Sequence, residues 1–363
     1  MERTVKKCYN FSVRILVIGD NTSFHTHRWL SSYREAGFEV KAGGFEEGEE
    51  LCEKFPTKGK GKLKYFLSMP DFRKIVQDFK PDLIHAHMAG NYGLIASLSG
   101  IPYVISLWGP DIIETPFRSA LHRNTIKRVL HRALLVHTDS HMVSWLLQKI
   151  FEIPAEKIVV FPFGVSQNFL SWNIKKSENG TYLVTHRKLE KVYGHETILR
   201  AIKILKGKGI DFKLFVASFG SESENLKRMC EDLNISDCVI FTGRLSEENL
   251  ASLLAQSHIF ISAALSDTTP NSLLEAMALN VFPIISDLPV YREWVIENLN
   301  GFYFEPGNYA DLASKIEKAI QNRQVLEHAV RLNRLIVENL ADWNRNFKEF
   351  TRKIFKIVES LSS

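Results

Sequence analysis

Short runs of consecutive apolar residues alternate with stretches whose apolar positions recur every three or four residues. RILVIG (14–19), DLIHAHM (82–88), YVISLW (103–108), ALLVHT (133–138) and KIVVFPFG (157–164) read as strands. HTHRWLSSYREAG reads as an amphipathic helix ending at Gly37, and further helices are predicted around 69–80, 91–99, 117–131 and 141–151. Strands that are apolar throughout, separated by helices, belong in a parallel sheet covered on both faces. After Gly164 the stretch VSQNFLSWNIKKSENG is polar, lacks periodicity and ends in a turn signal, which predicts a linker. A second series follows: TYLVTH (181–186), FKLFVAS (212–218), CVIFTG (238–243), HIFISAA (258–264), FPIIS (282–286) and GFYF (301–304), with helices near 195–206, 222–233, 246–256, 271–279 and 309–321. A last helix over 343–361 carries Phe347, Phe350, Ile354, Ile357 and Val358 at helical spacing and has no strand after it. The pattern therefore predicts an α/β protein of two tandem doubly wound domains, 1–172 and 173–342, with 343–363 returning to the first. Such sheets bind ligands beyond the carboxyl ends of their strands, so a cleft between the two domains is the expected site.

Composition narrows the class. A chain of 363 residues exceeds what one core usually organises, and 45% hydrophobic with 24% charged residues is ordinary for a soluble globular protein. No run approaches the roughly 18 apolar residues that span a bilayer. The basic N-terminal stretch leads into an apolar piece that ends at Gly19-Asp20, a strand and turn rather than a signal sequence. Cys8, Cys52, Cys230 and Cys238 have neither zinc nor redox spacing and read as free thiols of a reducing cytoplasm, Cys230 and Cys238 fitting apolar positions. The net charge of +5 falls within residues 1–172, concentrated in KFPTKGKGKLKYF (54–66) and FRSALHRNTIKRVLHR (117–132). These stretches read either as solvated faces or as a surface for anionic lipid or an anionic acceptor. Aromatic residues are not interleaved with them as a nucleic-acid platform requires, so nucleic acid is excluded as a partner.

The strand ends carry the candidate chemistry. The first strand-to-helix loop, GDNTSFHTH, holds one glycine, and no Walker pattern occurs, which disfavours NAD-dependent and P-loop chemistry. In SDTTPNSLLEAMA (266–278), Thr269 is a candidate N-cap and Pro270 a candidate first helical residue. The N–H groups of Asn271, Ser272 and Leu273 would then face outward at the positive end of a helix, a site for phosphate. Glu275, one turn in, can accept two ribose hydroxyls. Asp267 and Glu275 can equally be read as charges that complement the helix dipole.

SDTTPNSLLEAMALNVFPIISDLP resembles the signature of the family-4 retaining glycosyltransferases, which have the GT-B fold of two facing Rossmann-like domains. The spacing from Asp267 to Glu275, the LEAMA segment and the following turn carry the likeness, although Asp267 stands where Glu is common and Asn280 where Gly is common. The resemblance implies that the first acid lies by the donor sugar and that Glu275 holds the nucleotide ribose. THRKLEKVYGHETILRAI is similar to the segment whose Arg and Lys neutralise the donor diphosphate. Arg187 matches the Arg, Tyr193 stands at the Lys position, and Lys188 or Lys191 would supply the second charge. By the same resemblance, Gly220 in SFGSESENL lies near the donor and Gly243-Arg244 on the side of the base. SFHTHRWLSSYREAGFEV, PDLIHAHMAGNYGLIASLSGIPYVISLWGPDI and EKIVVFPFGVSQNF extend the likeness over nearly the whole chain, with Ser166 in place of the usual Asp. Trp108 stands where the family often has a sugar-holding His, and His25, His87 and Asp111 are further candidates at strand ends.

These features point to a retaining transferase that moves a sugar from a UDP- or GDP-sugar to a saccharide or lipid-linked acceptor. The first domain would bind the acceptor and the second the donor. No aspartate pair with metal-site spacing occurs, so no metal or other cofactor is expected, and basic side chains with the helix dipole would neutralise the diphosphate. An anionic membrane surface is a further expected partner, placing the protein in the cytoplasm or at the inner face of the membrane. The rival readings are a GT-B-fold sugar-nucleotide epimerase, which needs paired carboxylates, and a two-domain sugar-binding protein.

Overall fold

The computed structural model describes residues 13–46, 52–54, 68–323 and 326–362. Cys8 and nearly all of the basic stretch 54–66 lie outside the described residues. The chain divides into two compact units, Met1–Phe161 with Asn344–Ser363, and Pro162–Trp343.

The first unit is built on strands β1 (Arg14–Ile18), β2 (Glu39–Gly44), β3 (Cys52–Lys54), β4 (Leu83–His87), β5 (Tyr103–Ser106), β6 (Leu135–Thr138) and β7 (Ile158–Val160), in the order β3-β2-β1-β4-β5-β6-β7. Every neighbouring pair is parallel. The order reverses between β1 and β4, which makes that gap the topological switch point. Strand alternation sorts the side chains. Leu16, Ile18, Ile84, Ala86, Ile105 and Val136 share one core with Phe72, Ile75, Ile95, Ile126 and Val129 of the covering helices.

The other face is partly polar. Tyr33, His85, Ser106 and His137 are fully buried there and form a hydrogen-bonded chain. The Phe161 carbonyl accepts from His137 Nε2 at 2.9 Å, so His137 Nδ1 is left to accept from Ser106 Oγ at 2.9 Å. Ser106 Oγ in turn accepts from His85 Nε2 at 2.8 Å, and His85 Nδ1 accepts from the Tyr33 hydroxyl at 3.0 Å. A buried polar face is tolerated because each member has a partner. The last helix, Trp343–Ser362, seals this face. Its Phe350 ring lies 5.0 Å from Trp29, Phe347 lies 5.2 Å from Tyr33, and Phe355 stacks on Phe38 at 4.6 Å.

The second unit holds β8 (Thr181–Thr185), β9 (Phe212–Val216), β10 (Val239–Phe241), β11 (Ile259–Ser262), β12 (Phe282–Ser286) and β13 (Phe302–Phe304), all parallel, in the order β10-β9-β8-β11-β12-β13. Its switch point lies between β8 and β11. The chain leaves the first unit at Phe161 rather than at 172, because the following residues are tied into the second. Val165 N–H donates to Ala341 O at 2.9 Å, Phe163 stacks on Trp343, and the Ser166 hydroxyl and Asn168 amide donate to Glu247. Part of the expected linker is the short helix Gln167–Ser171. Strands β2 and β3 and a helix over Leu326–Leu340 are additions to the elements read from the pattern.

Candidate active site

The loops after β8 and β11 flank the switch point of the second unit and bring four expected residues together. His186 and Arg187 follow β8, and Asp267 precedes the helix Asn271–Ala278, which carries Ser272 and Glu275. Arg187 donates through Nη2 to Asp267 Oδ2 at 2.7 Å and through Nη1 to Ser272 Oγ at 3.1 Å. Its guanidinium carbon sits 4.2 Å from the centre of the Tyr193 ring. Tyr291 donates its hydroxyl to the same Asp267 oxygen at 2.7 Å, and Thr268 N–H donates to the other at 2.9 Å. Both side chains of the ion pair are 10% exposed. Burial acts to lower the Arg187 pKa, but Asp267, Tyr291 and Tyr193 outweigh it and hold the pKa above the ordinary value. Burial, then Asp267, pushes the Tyr291 hydroxyl well up, so it remains a donor. Arg187 Nε is buried without a partner. The cluster is therefore a fixed cation with one guanidinium nitrogen, Nε, left without a partner.

The start of the helix departs from expectation. Pro270, in extended conformation, occupies the N-cap position rather than the first turn, and no side chain caps the helix, so Thr269 is not the cap. The Leu273 N–H is already taken by Pro270 O at 3.1 Å. Asn271 and Ser272 thus present the N–H groups that no acceptor takes among the described residues, and the Asn271 side-chain oxygen is buried without a partner. Glu275 is 22% exposed, and its Oε2 accepts from His186 Nε2 at 3.0 Å. That bond orients the carboxylate and leaves its second oxygen open.

Gly220 is fixed by packing. A Cβ there would lie 2.3 Å from Leu189 O. The loop Phe219–Glu222 is zipped to the loop after β8 by Leu189 N–H on Phe219 O at 3.0 Å and Glu222 N–H on Leu189 O at 2.9 Å. Gly243 adopts φ 70, and the exposed Arg244 guanidinium lies 5.6 Å from the half-exposed Phe219 ring. Lys188 and Lys191 are exposed and stand outside the Arg187 cluster; Lys188 lies 3.7 Å from Glu190. Arg187 is the cation the fold buries at this point.

In the first unit the structure gives Asp111 a structural task. It is 2% exposed, and its oxygens accept the N–H groups of Ala89 at 2.8 Å and Trp108 at 3.2 Å, holding the turn after β4 where Met88 adopts φ 72. Burial raises its pKa against these bonds. His87 is fully buried, bonded through Nδ1 to Thr26 at 3.2 Å, with burial pulling it down to about 3. Trp108 packs between His25 and His87, at 5.4 and 5.1 Å between ring centres. Two participants escaped the sequence reading. His186 directly precedes Arg187 and could have been suspected from that adjacency; Tyr291, in the short turn Pro289–Glu293, had no local signal.

Residues 166–335 match the family model described as glycosyl transferases group 1, and residues 14–140 match the one described as glycosyl transferase 4-like. Both models are of glycosyltransferases, and so is this chain. This glycosyltransferase is 24% identical over 300 residues to an uncharacterised glycosyltransferase of Methanocaldococcus jannaschii, covering 77% of this chain and 76% of the relative. It is 26% identical over 223 residues to the O-antigen chain mannosyltransferase of Salmonella typhimurium, covering 61% and 59% of the two chains. The crystal structure of Anabaena HepE in complex with UDP-glucose superposes with a TM-score of 0.77 at 18% identity, over 94% of this chain and 99% of that one. That likeness establishes the GT-B fold of the glycosyltransferase. Among the described residues no three His, Cys, Asp or Glu side chains gather as metal ligands, and no helix is long and apolar enough to cross a membrane.

Proposed function

We propose that the enzyme moves a sugar from a UDP- or GDP-sugar to a saccharide or lipid-linked acceptor with retention of configuration and without a required metal, in cell-surface polysaccharide or glycolipid synthesis. The observation that carries this reading is the buried Arg187 guanidinium, anchored by Asp267 beside the open helix start and left with its Nε unpartnered. The donor diphosphate binds that Nε–H and the N–H groups of Asn271 and Ser272, where helix dipole and cation act together. The ribose binds the open oxygen of Glu275, and the base lies along Phe219 and Arg244. As the bond from the anomeric carbon to the diphosphate oxygen breaks, charge grows on that oxygen, and fixed donors stabilise it without reorganising. The acceptor hydroxyl then attacks on the same face and passes its proton to the departing diphosphate. UDP-glucose in the Anabaena neighbour and the mannosyltransferase relative support the choice of donor class and of a saccharide acceptor.

The acceptor reading rests on the first unit. A groove of about 860 Å³ runs along the helix Ala120–Arg132, with Leu94, Leu98, Leu121 and Val129 in its lining and Arg118, Arg128 and Arg132 around them. Apolar lining beside arginines fits a lipid-linked anionic acceptor or an anionic membrane surface.

A panel of nucleoside-diphosphate sugars tests the proposal. One donor is expected to release nucleoside diphosphate, with Arg187→Ala lowering turnover more than acceptor affinity. Binding without release would sink the transferase mechanism, an inverted anomer in the product would sink retention, and loss of activity in EDTA restored by manganese would sink the metal-free assignment.

A further inference from the structure

A pocket lies at the amino ends of the second sheet's central strands, the end opposite the loops that carry Arg187 and Asp267. It lies at the start of β8, β11 and β12, where Thr181, Ile259 and Phe282 enter their strands, and encloses about 290 Å³. Its walls are apolar, with Ala319, Ile320, Leu326 and Val330 closing one side. Its polar groups are unusual. His258 is 9% exposed, and its Nδ1 accepts from the Tyr182 N–H at 3.0 Å. The ring proton of the neutral imidazole must then sit on Nε2, which is buried and has no acceptor. Lys176 also lines the pocket, its ammonium held on the carbonyls of Ser257 at 2.6 Å and Leu279 at 2.8 Å. Arg323, an exposed side chain, completes the lining. Glu327 also lines the pocket; its carboxylate is 65% exposed and faces Arg331 at 3.3 Å. The side-chain oxygen of Asn280 is buried there without a partner.

We propose that this pocket binds a small organic anion: a carboxylate or phosphate head on His258 Nε2–H and Arg323, with an apolar body against Ile320, Leu326 and Val330. A buried N–H group without an acceptor is destabilising, and an anionic oxygen placed there removes that cost. Like charges in the lining act the same way. Burial, with Arg323 nearby, pulls Lys176 down to about 7, and burial, with Arg323 and Lys176, pulls His258 down to about 4. One negative head beside them favours the charged forms of both. The volume equals that of about ten waters at about 30 Å³ each, room for a small aromatic acid rather than a nucleotide. Because Lys176 rests on Leu279 O, at the carboxyl end of the helix whose other end carries Asn271 and Ser272, the pocket is mechanically joined to the helix of the transfer site.

Calorimetric titration of the whole chain with phenyl phosphate, benzoate and neutral benzyl alcohol tests the proposal, with each ligand repeated on the Arg187→Ala protein. One or both anions are expected to bind, in both proteins alike, and the alcohol is not. Arg323→Gln is expected to weaken anion binding at least tenfold without shifting the melting temperature. The His258 imidazole nitrogen resonances should move on titration in the wild type. Anion binding that vanishes in Arg187→Ala belongs to the transfer site and overturns the proposal. So does equal binding by the alcohol, an unmoved His258 resonance, or no binding at all. None of these outcomes bears on the proposed donor chemistry, which is read from nucleoside-diphosphate release.

Discussion

Asp267 serves Arg187 before it serves any ligand. Its Oδ2 takes two donors and its Oδ1 a backbone N–H, so the carboxylate fixes the guanidinium and keeps it charged in a buried setting. Removing one partner of a buried pair typically costs about 3–5 kcal/mol, because the other charge is stranded. The Tyr291 hydroxyl is a gentler probe. Tyr291→Phe removes one hydrogen bond to a charged acceptor, worth about 1.5–3 kcal/mol, and leaves the ring in its fully buried place. The expected result is a fall in kcat/KM of roughly ten- to hundredfold, read from nucleoside-diphosphate release, together with a lower melting temperature. Equal activity of the variant would show that Asp267 needs no help in placing Arg187. The two acids were legible because their spacing lies within the one strand-to-helix segment after β11, and Arg187, in the loop after β8, was read from the family resemblance of its own segment. Tyr291 was not, because only the β11–β12 pairing carries its turn to Asp267, and no local pattern records that. His186 was readable as a strand end, and its role appeared only with the 3.0 Å contact to Glu275.

The helix Asn271–Ala278 is short and lacks a side-chain cap at its start, so its far end has to hold it. Two cations do this: Lys176 donates to Leu279 O at 2.8 Å and Arg334 to Ala278 O at 3.0 Å, completing carbonyls that the helix leaves open. Arg334 also donates to Leu170 O and pairs with Glu338 at 2.7 Å, so it joins the helices Leu326–Leu340 and Asn271–Ala278 to Leu170. Arg334→Leu is expected to lower stability by about 2–3 kcal/mol and to raise KM for the donor, since the helix start moves with its end. Thermal unfolding and donor saturation curves check both; an unchanged KM would detach the cap from the site. At this scale the pattern of apolar runs revealed the strands that are buried on both faces. β2, EVKAGG, escaped because Glu39 and Lys41 break its apolar run and its glycines carry no β signal; its partner β1 supplies the order. Thr269 was read as the cap from residue type alone, whereas the extended Pro270 places the helix start one residue later.

At the scale of the whole chain, the positive excess of residues 1–172 and the arginine-edged groove predict association with vesicles containing anionic lipid. It should weaken as salt rises from 0.05 to 0.3 M, since roughly 1 kcal/mol per surface cation is screened within a Debye length. Cosedimentation that persists at high salt, or with neutral lipid alone, would locate the attraction elsewhere. The buried polar chain under the last helix gives a second whole-molecule property, a pH dependence of stability. Its donors run one way, from Tyr33 through His85, Ser106 and His137 to the Phe161 carbonyl, which fixes both imidazoles as neutral with the proton on Nε2. A proton added to His137 Nδ1 would meet the Ser106 O–H end-on and break the direction of the chain. Burial accordingly pulls His137 down to about 4 and lowers His85, with His87 and His137 adding to the latter. In the unfolded chain these groups titrate near their ordinary value of about 6.5, so between pH 6.5 and 4 the unfolded state binds more protons than the folded one. Stability therefore rises with pH across that window, by up to about 1.4 kcal/mol per pH unit for each buried histidine, and is fully present above it. His137→Gln keeps a donor for the Phe161 carbonyl but removes one titrating group. Denaturant unfolding from pH 7.5 to 4.5 should give a shallower loss of stability in that variant than in the wild type. Parallel curves would mean that His137 takes up its proton without disturbing the fold, and that the one-way chain does not hold it neutral.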